Sequence, residues 1–320
     1  MTASTTCRTT GLRSRTAAVG AIAVAGALLL TGCGDQTKND SGSDSASTST
    51  APLADKLPAE IRNKGEIRVG SDIAYAPVEF KDDAGKVVGI DPDIAAALGE
   101  QLGVEFKFEN GTFDTLIGGL AAKRYDIAMS AMTDTKDRQE GVDSETGKKV
   151  GAGVDFVDYF TAGVSLYTNK GDDQSIKTWD DLCGKTIAVQ RNTFSHDLAK
   201  DQAKKCKDDG EKALKIEDFA TNPEAETRMR AKGADVVSAD FPVAAYSVKS
   251  SGGGEYFEIV GDQVEAGPYG IAVAKGNAEL RDALQAAVQA IIDNGEYEKI
   301  IKKWGVEDGA ITEPKINGGS

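Results

Sequence analysis

The chain is 320 residues long, 40% apolar and 28% charged, an ordinary globular balance with enough length for two domains. Lys and Arg number 37 against 51 Asp and Glu, and there is no Lys/Arg-rich run, which argues against nucleic acid as a partner. A single histidine, His196, excludes most zinc sites and most histidine-based acid–base chemistry, and neither a metal nor a cofactor is expected.

Three of the basic residues, Arg8, Arg13 and Arg15, fall in the first 32 positions, where no acidic side chain occurs. Residues 16–30 (TAAVGAIAVAGALLL) then form an uncharged apolar run, too short to span a bilayer comfortably, and 1–32 reads as a secretion signal. Leu30, Thr31, Gly32 and Cys33 follow, which resembles the bacterial lipobox and implies lipid on Cys33. Residues 34–57 are mostly Ser, Thr, Asp and Gly with little to bury, so 33–60 is assigned as a flexible tether. The expected location is the extracellular face of the cell membrane, held there by a lipid anchor. With Cys7 in the signal and Cys33 lipidated, Cys183 and Cys206 remain as one pair in an oxidising compartment, and a disulfide between them is expected.

From residue 66 strand and helix patterns alternate, which predicts an α/β fold with mostly parallel sheets covered by helices. Ile67 and Val69 open a strand. Asp91 and Pro92 read as the cap and first turn of a helix carrying Ile94, Ala95, Leu98 and Leu102 and ending at Gly103. Val104, Phe106 and Phe108 alternate as a strand, Phe113, Leu116, Ile117 and Leu120 form a helical stripe, and 125–129 is a short buried strand. A second series follows, with strands at 186–189, 214–216 and 234–237 and helices around Leu198, from Asn222 and from Phe241. A strand at 270–273 precedes two last helices through Trp304.

These pieces, in this order, resemble an extracellular solute-binding protein of the polar amino acid uptake family, which includes lysine/arginine/ornithine-, histidine- and glutamine-binding proteins. The carriers are IRVGSDIAYAPVEF at 67–80, the helix at 89–103, FDTLIGGLAAKRYDIAMSAMTDTKDR at 113–138, DLCGKTIAVQ at 181–190, ADVVSAD at 234–240 and NGEYEKIIKKWG at 294–305. The resemblance implies a two-lobed periplasmic-binding-protein fold joined by two hinge strands. Lobe 1 is assigned to 61–163 plus 268–308, lobe 2 to 164–267, and 309–320 is left as a C-terminal tail.

A free amino acid presents a carboxylate and an ammonium, and each needs a partner once water leaves. Arg138 is the candidate for the carboxylate, since a guanidinium binds both oxygens in a planar fork and stays charged when desolvated. Thr135 is positioned to cap its helix. By family correspondence Ala131 and Thr133 stand at the same charged end, and Gln190 to Phe194 form an anion-facing loop before a helix, with Phe194 donating through its N–H. Asn192 stands where the family has Gly and tolerates a left-handed turn. Asp240 is the candidate for the ammonium; Tyr75 and Phe113 are the expected aromatic walls. Asp72 and Gln190 fall where the ligand side chain is checked. Arginine, lysine, glutamine and glutamate all remain open.

His196 reads as a solvated or capping histidine, and 141–153 as a surface loop insertion. The expectation is therefore a monomeric, non-enzymatic substrate-binding lipoprotein of an ABC importer. It would pass a polar amino acid to a membrane permease with its ATPase. The alternatives are a cyclohexadienyl or arogenate dehydratase on the same scaffold, or a ligand-sensing subunit of a receptor.

Overall fold

The computed structural model describes residues 51–172 and 175–320. The expected signal segment 1–32, the lipid site at Cys33 and the tether up to residue 50 lie outside the described residues. The end of the tether does not, and there the expectation is corrected. Ala54–Lys56 is a 3-10 turn and α1 spans Ala59–Lys64. Leu53, Leu57 and Ile61 recur every four residues, and Leu57 and Ile61 sink into the main core.

The elements of the first part are β1 (Glu66–Ser71), β2 (Phe80–Lys81), β3 (Val87–Val88), α2 (Ile90–Leu102), β4 (Glu105–Asn110), α3 (Leu116–Ala121), β5 (Ile127–Ala128) and α4 (Lys136–Glu140). The long strand β6 (Val154–Asn169) leads to β7 (Thr186–Gln190), α5 (Phe194–Asp208), β8 (Lys215–Phe219), α6 (Asn222–Arg230), β9 (Val236–Asp240) and α7 (Phe241–Ser250). A second long strand, β10 (Phe257–Ala274), is followed by α8 (Ala278–Asp293) and α9 (Glu296–Trp304).

The strand order β4-β1-β5-β10-β6-β9-β7-β8 explains the two lobes. β1 runs parallel to β4 and β5, and β7 parallel to β8 and β9. β6 and β10 lie antiparallel between these halves. At 16 residues β6 is roughly 50 Å of extended chain, long enough to serve one sheet with its first half and the other with its second. Their pairing is irregular between Val260 and Val264, between Val264 and Gly267, and again at Tyr269/Gly270. Each irregularity interrupts the ladder and lets the ribbon bend where the lobes meet. This is the two-lobed periplasmic-binding-protein fold, an α/β architecture with two hinge strands.

Gly103 ends α2 in the left-handed region, as its position predicts. Asp91 is a correction. Gly89 occupies the cap position, and the Asp91 carboxylate is fully buried, accepting from Tyr159 Oη at 2.7 Å and Ala131 N at 3.3 Å. Residues 309–320 do not hang free. Gly309 is buried, and Ile316 forms a bridge with Val157 on β6.

Cys183 and Cys206 are bonded, tying the turn before β7 to the last part of α5. Replacing both with Ser is expected to lower stability by roughly 3 kcal/mol in the chain-entropy model, read as a lower urea midpoint with an m-value that rises as the unfolded chain expands.

Candidate functional site

Where the two lobes face each other they close on a small cavity of about 10 Å³, room for little more than one water. Its walls come from the ends of β1, β4, β5, β7 and β9 and from the segments that follow them, the carboxyl side where open α/β sheets collect ligands. Of the residues singled out from the sequence, Asp72, Tyr75, Phe113, Ala131, Thr133, Gln190, Phe194 and Asp240 line it. Arg138 stands at its edge. One guanidinium nitrogen donates to Thr133 O at 2.7 Å and another to Asn192 O at 2.8 Å, and the group sits 5.3 Å from the centre of the Phe113 ring.

On the lobe 1 side, β1 ends at Ser71 and delivers Asp72, 4% exposed, to the cavity floor. Its N–H donates to Ser130 Oγ at 2.9 Å, and one carboxylate oxygen accepts a short bond from Gln190 Nε2 of lobe 2. Burial raises the Asp72 pKa to about 6, against the pull of Gln190 and the Phe113 N–H. Ser130 Oγ donates in turn to Glu79 Oε1 at 2.6 Å. Glu79 is fully buried, and burial followed by the adjacent Asp91 charge pushes its pKa well up. Burial likewise raises Asp91 to about 7. Two carboxyls so close under a dry floor hold a proton between them. Ala131, whose amide Asp91 receives, has φ +47°, a conformation that the carboxylate and the packing must hold in place.

On the lobe 2 side, Thr193 caps α5, its Oγ1 accepting from His196 N at 3.2 Å. Asn192 takes the left-handed turn, φ +58°, and donates its N–H to His196 Nδ1 at 3.2 Å. His196 is thus a capping residue for this loop. Arg191 turns away from the cavity to Asp218, at 3.1 Å. Asp240 sits where β9 meets α7. One carboxylate oxygen accepts from Tyr269 Oη at 2.8 Å, and its N–H donates to Tyr75 Oη at 3.1 Å. Burial raises its pKa to about 6, against the two tyrosines and Arg138. Burial lowers the Arg138 pKa, opposed by Asp197 and Asp240, yet a guanidinium stays cationic throughout the working range.

Sequence reasoning missed Glu79, Ser130 and Tyr269. For Glu79 the signal was present, a lone acid between Val78 and Phe80 in an apolar turn. Tyr269 offered none, because only the irregular hinge register aims it at Asp240. The 141–153 insertion also reaches further than a surface loop, since Ser144 Oγ donates to Asp197 Oδ1 on α5 at 2.9 Å.

Two lobes hinged on paired strands, with ionised and aromatic groups from both meeting in a small cavity, define a binding protein of the periplasmic type. The described residues include no helix long and apolar enough to cross a membrane. The chain belongs to the bacterial extracellular solute-binding proteins, family 3, whose family model matches residues 67–307. It is 30% identical over 262 residues to the arginine-binding protein ArgT of Corynebacterium glutamicum, covering 82% of this chain and 81% of that one. It is 24% identical to the L-cystine-binding protein TcyJ of Escherichia coli, covering 81% of this chain and 90% of that one. Among solved structures, an ancestral arginine-binding protein bound to arginine superposes with a TM-score of 0.66 at 35% identity, covering 75% of this chain and 98% of that one. These relatives are named as binding proteins, not enzymes.

The buried carboxyls make stability depend on pH with a definite sign. Asp72, Asp240, Asp91 and Asp158 have folded pKa values of about 6, 6, 7 and 7 against 3.8 as model groups. Between pH 5 and 7, above the range where ion-paired carboxylates such as Asp126, Asp155 and Glu217 titrate, the folded chain therefore binds more protons than the unfolded one, and stability falls as pH rises. Glu79 and Glu226, also raised by burial, add to the effect, and His196, lowered by burial, opposes it. The melting temperature is expected to be higher at pH 5 than at pH 8 in calorimetry without added ligand; an equal or reversed order contradicts these assignments.

Proposed function

We propose that the chain captures a cationic amino acid, arginine first and lysine second, between its lobes and passes it to an ABC permease and its ATPase. The observation that carries this reading is the charge pattern of the cavity. A free cationic amino acid has three charges, an ammonium, a carboxylate and a side-chain cation. Asp240, Arg138 and Asp72 form a matching set of opposite sign. Tyr75 and Phe113 flank it with aromatic surface suited to an aliphatic stem. Desolvated charges demand partners, so a neutral side chain at Asp72 forfeits an ion pair and an acidic one meets repulsion from the Asp72 carboxylate itself. Glutamate therefore drops below arginine, lysine and glutamine. The arginine-binding names among the relatives agree with this order.

In this mechanism lobe 1 and lobe 2 each hold part of the ligand, and the ligand's differential affinity for the shut form drives closure. Tyr269 on the hinge strand orients the Asp240 carboxylate that takes the ammonium. The Arg138 guanidinium exchanges a carbonyl partner for the ligand carboxylate, a stronger charge-assisted bond. Lipid on Cys33 would keep the loaded protein near the permease. The protein acts as a monomer in this scheme.

A thermal-shift screen of the twenty amino acids tests the assignment, because a tight ligand raises the melting point by mass action. Arginine is expected to give the largest shift; a larger shift with glutamate or an uncharged residue overturns the cationic reading. In calorimetric titrations Arg138→Ala should weaken arginine at least about tenfold, roughly 1.5 to 3 kcal/mol. Asp72→Asn should weaken arginine by a similar factor and leave glutamine nearly unchanged. Affinity for arginine should also fall as pH drops below about 6, where Asp72 and Asp240 take up protons that the ligand must displace. An affinity that stays flat down to pH 5 argues against both carboxylates as ligand partners.

A further inference from the structure

The segment after residue 313 runs along the first half of β6. Asp158 N donates to Lys315 O at 2.9 Å. Asn317 and Phe156 make a reciprocal pair: Asn317 N donates to Phe156 O at 3.1 Å, and Phe156 N donates to Asn317 Oδ1 at 2.8 Å. Asn317 Nδ2 also donates to Asp155 Oδ1 at 3.1 Å. The chain then turns onto the loop that carries the Arg138 helix. Gly319 N donates to Asp134 Oδ2 at 2.9 Å, and the other oxygen of Asp134 accepts from Gln139 Nε2 at 2.7 Å. One carboxylate, 1% exposed, thereby joins this segment to α4.

The approach is close enough to demand glycine. A Cβ on Gly319 would lie 1.8 Å from the Asp134 carbonyl oxygen, and one on Gly318 would lie 2.4 Å from Asp158 Oδ2. The helix so approached is only five residues long. A single turn scarcely offsets its own nucleation cost, so external ties decide where its side chains stand. Within α4 itself the cap bond from Arg138 N to Thr135 Oγ1 is long, at 3.4 Å.

We propose that the 315–320 segment is a positioning element for Arg138, holding α4 through Asp134 and Gln139 so that the guanidinium meets the cleft in a fixed orientation. This rests on Arg138 being the partner of the ligand carboxylate. A bound group displaced by a fraction of an ångström loses much of its directional bonding, so loosening the segment costs affinity at that end of the ligand alone.

The junction also carries a titratable group. Asp158 lies beside Asp134 and accepts from Gly318 N; burial first, then the Asp134 charge, raises its pKa to about 7, while Lys315 acts in the opposite direction. The other charged groups around the junction are Lys136, Asp137, Arg138 and Glu140 on α4, and Asp155 with its partners Lys275 and Arg281. Above pH 7 Asp158 loses its proton, two neighbouring carboxylates repel, and the hold on α4 slackens.

The test compares L-arginine with L-arginine methyl ester, which lacks the carboxylate charge, on the intact chain at 25 °C, with near-UV circular dichroism to monitor the fold. Gly319→Val and Gln139→Met should each weaken L-arginine about five- to tenfold and leave the ester within about twofold, shrinking the preference for the free acid as Arg138→Ala does. Should Gly319→Val fail to fold, Gln139→Met keeps the side-chain volume and reports alone. Asp158→Asn should bind as the wild type at pH 7 and lack the decline that the wild type shows from pH 7 to 8.5. Loss of preference in Arg138→Ala alone, with wild-type preference in Gly319→Val and Gln139→Met, overturns this inference and leaves the ligand reading standing. Wild-type preference in Arg138→Ala overturns both.

Discussion

The Asp240 carboxylate is the point on which the architecture turns. It belongs to β9 in one lobe, its N–H donates to Tyr75 of the other, and its oxygen accepts from Tyr269 on the connecting strand β10. A buried anion is expensive, and here the cost is met by groups that converge only when both lobes and the hinge adopt one arrangement. The same burial that lifts its pKa makes it a strong partner for a cation entering from water. Folding and, in the proposed function, recognition therefore draw on one desolvated charge.

Around it the site is built unequally. Lobe 1 supplies a rigid acidic floor, Asp72 bonded to Ser130, Ser130 to Glu79, and Asp91 reaching from α2 to Tyr159 on β6. The cation of the site stands instead on a helix of a single turn. In the proposed binding mode, a hydrogen-bonded acidic floor and a lightly supported guanidinium give the two ends of the ligand different mechanical footing. On that proposal the side-chain end is preformed, and the carboxylate end is set by whatever braces α4.

Much of this was legible in the residues because local signals and the global fold agree. The strand at Ile67 and Val69 and the helix that stops at Gly103 follow from local rules that tertiary packing does not override, the Cys183–Cys206 bond from cysteine count and compartment, and the left-handed turn at Asn192 from the family resemblance. Asp91 was misread because a carboxylate before proline looks like a cap, whereas its partners Tyr159 and Ala131 lie far along the chain. Tyr269 was invisible for the same reason, since an interrupted register has no periodic signature. The Leu53, Leu57 and Ile61 stripe hid under a polar composition that reads as tether. Burial of a few apolar residues at the right spacing outweighed that average.

The contact between Ser144 and Asp197 adds an asymmetry in time. It joins the lobes outside the cavity, so it can exist only after they have come together and has no part in the first encounter between an open cleft and its cargo. A bond of this kind acts on escape and not on capture, lengthening the residence of whatever is enclosed while leaving the arrival rate to diffusion. In the proposed role of carrier, that is a delay placed on the exit.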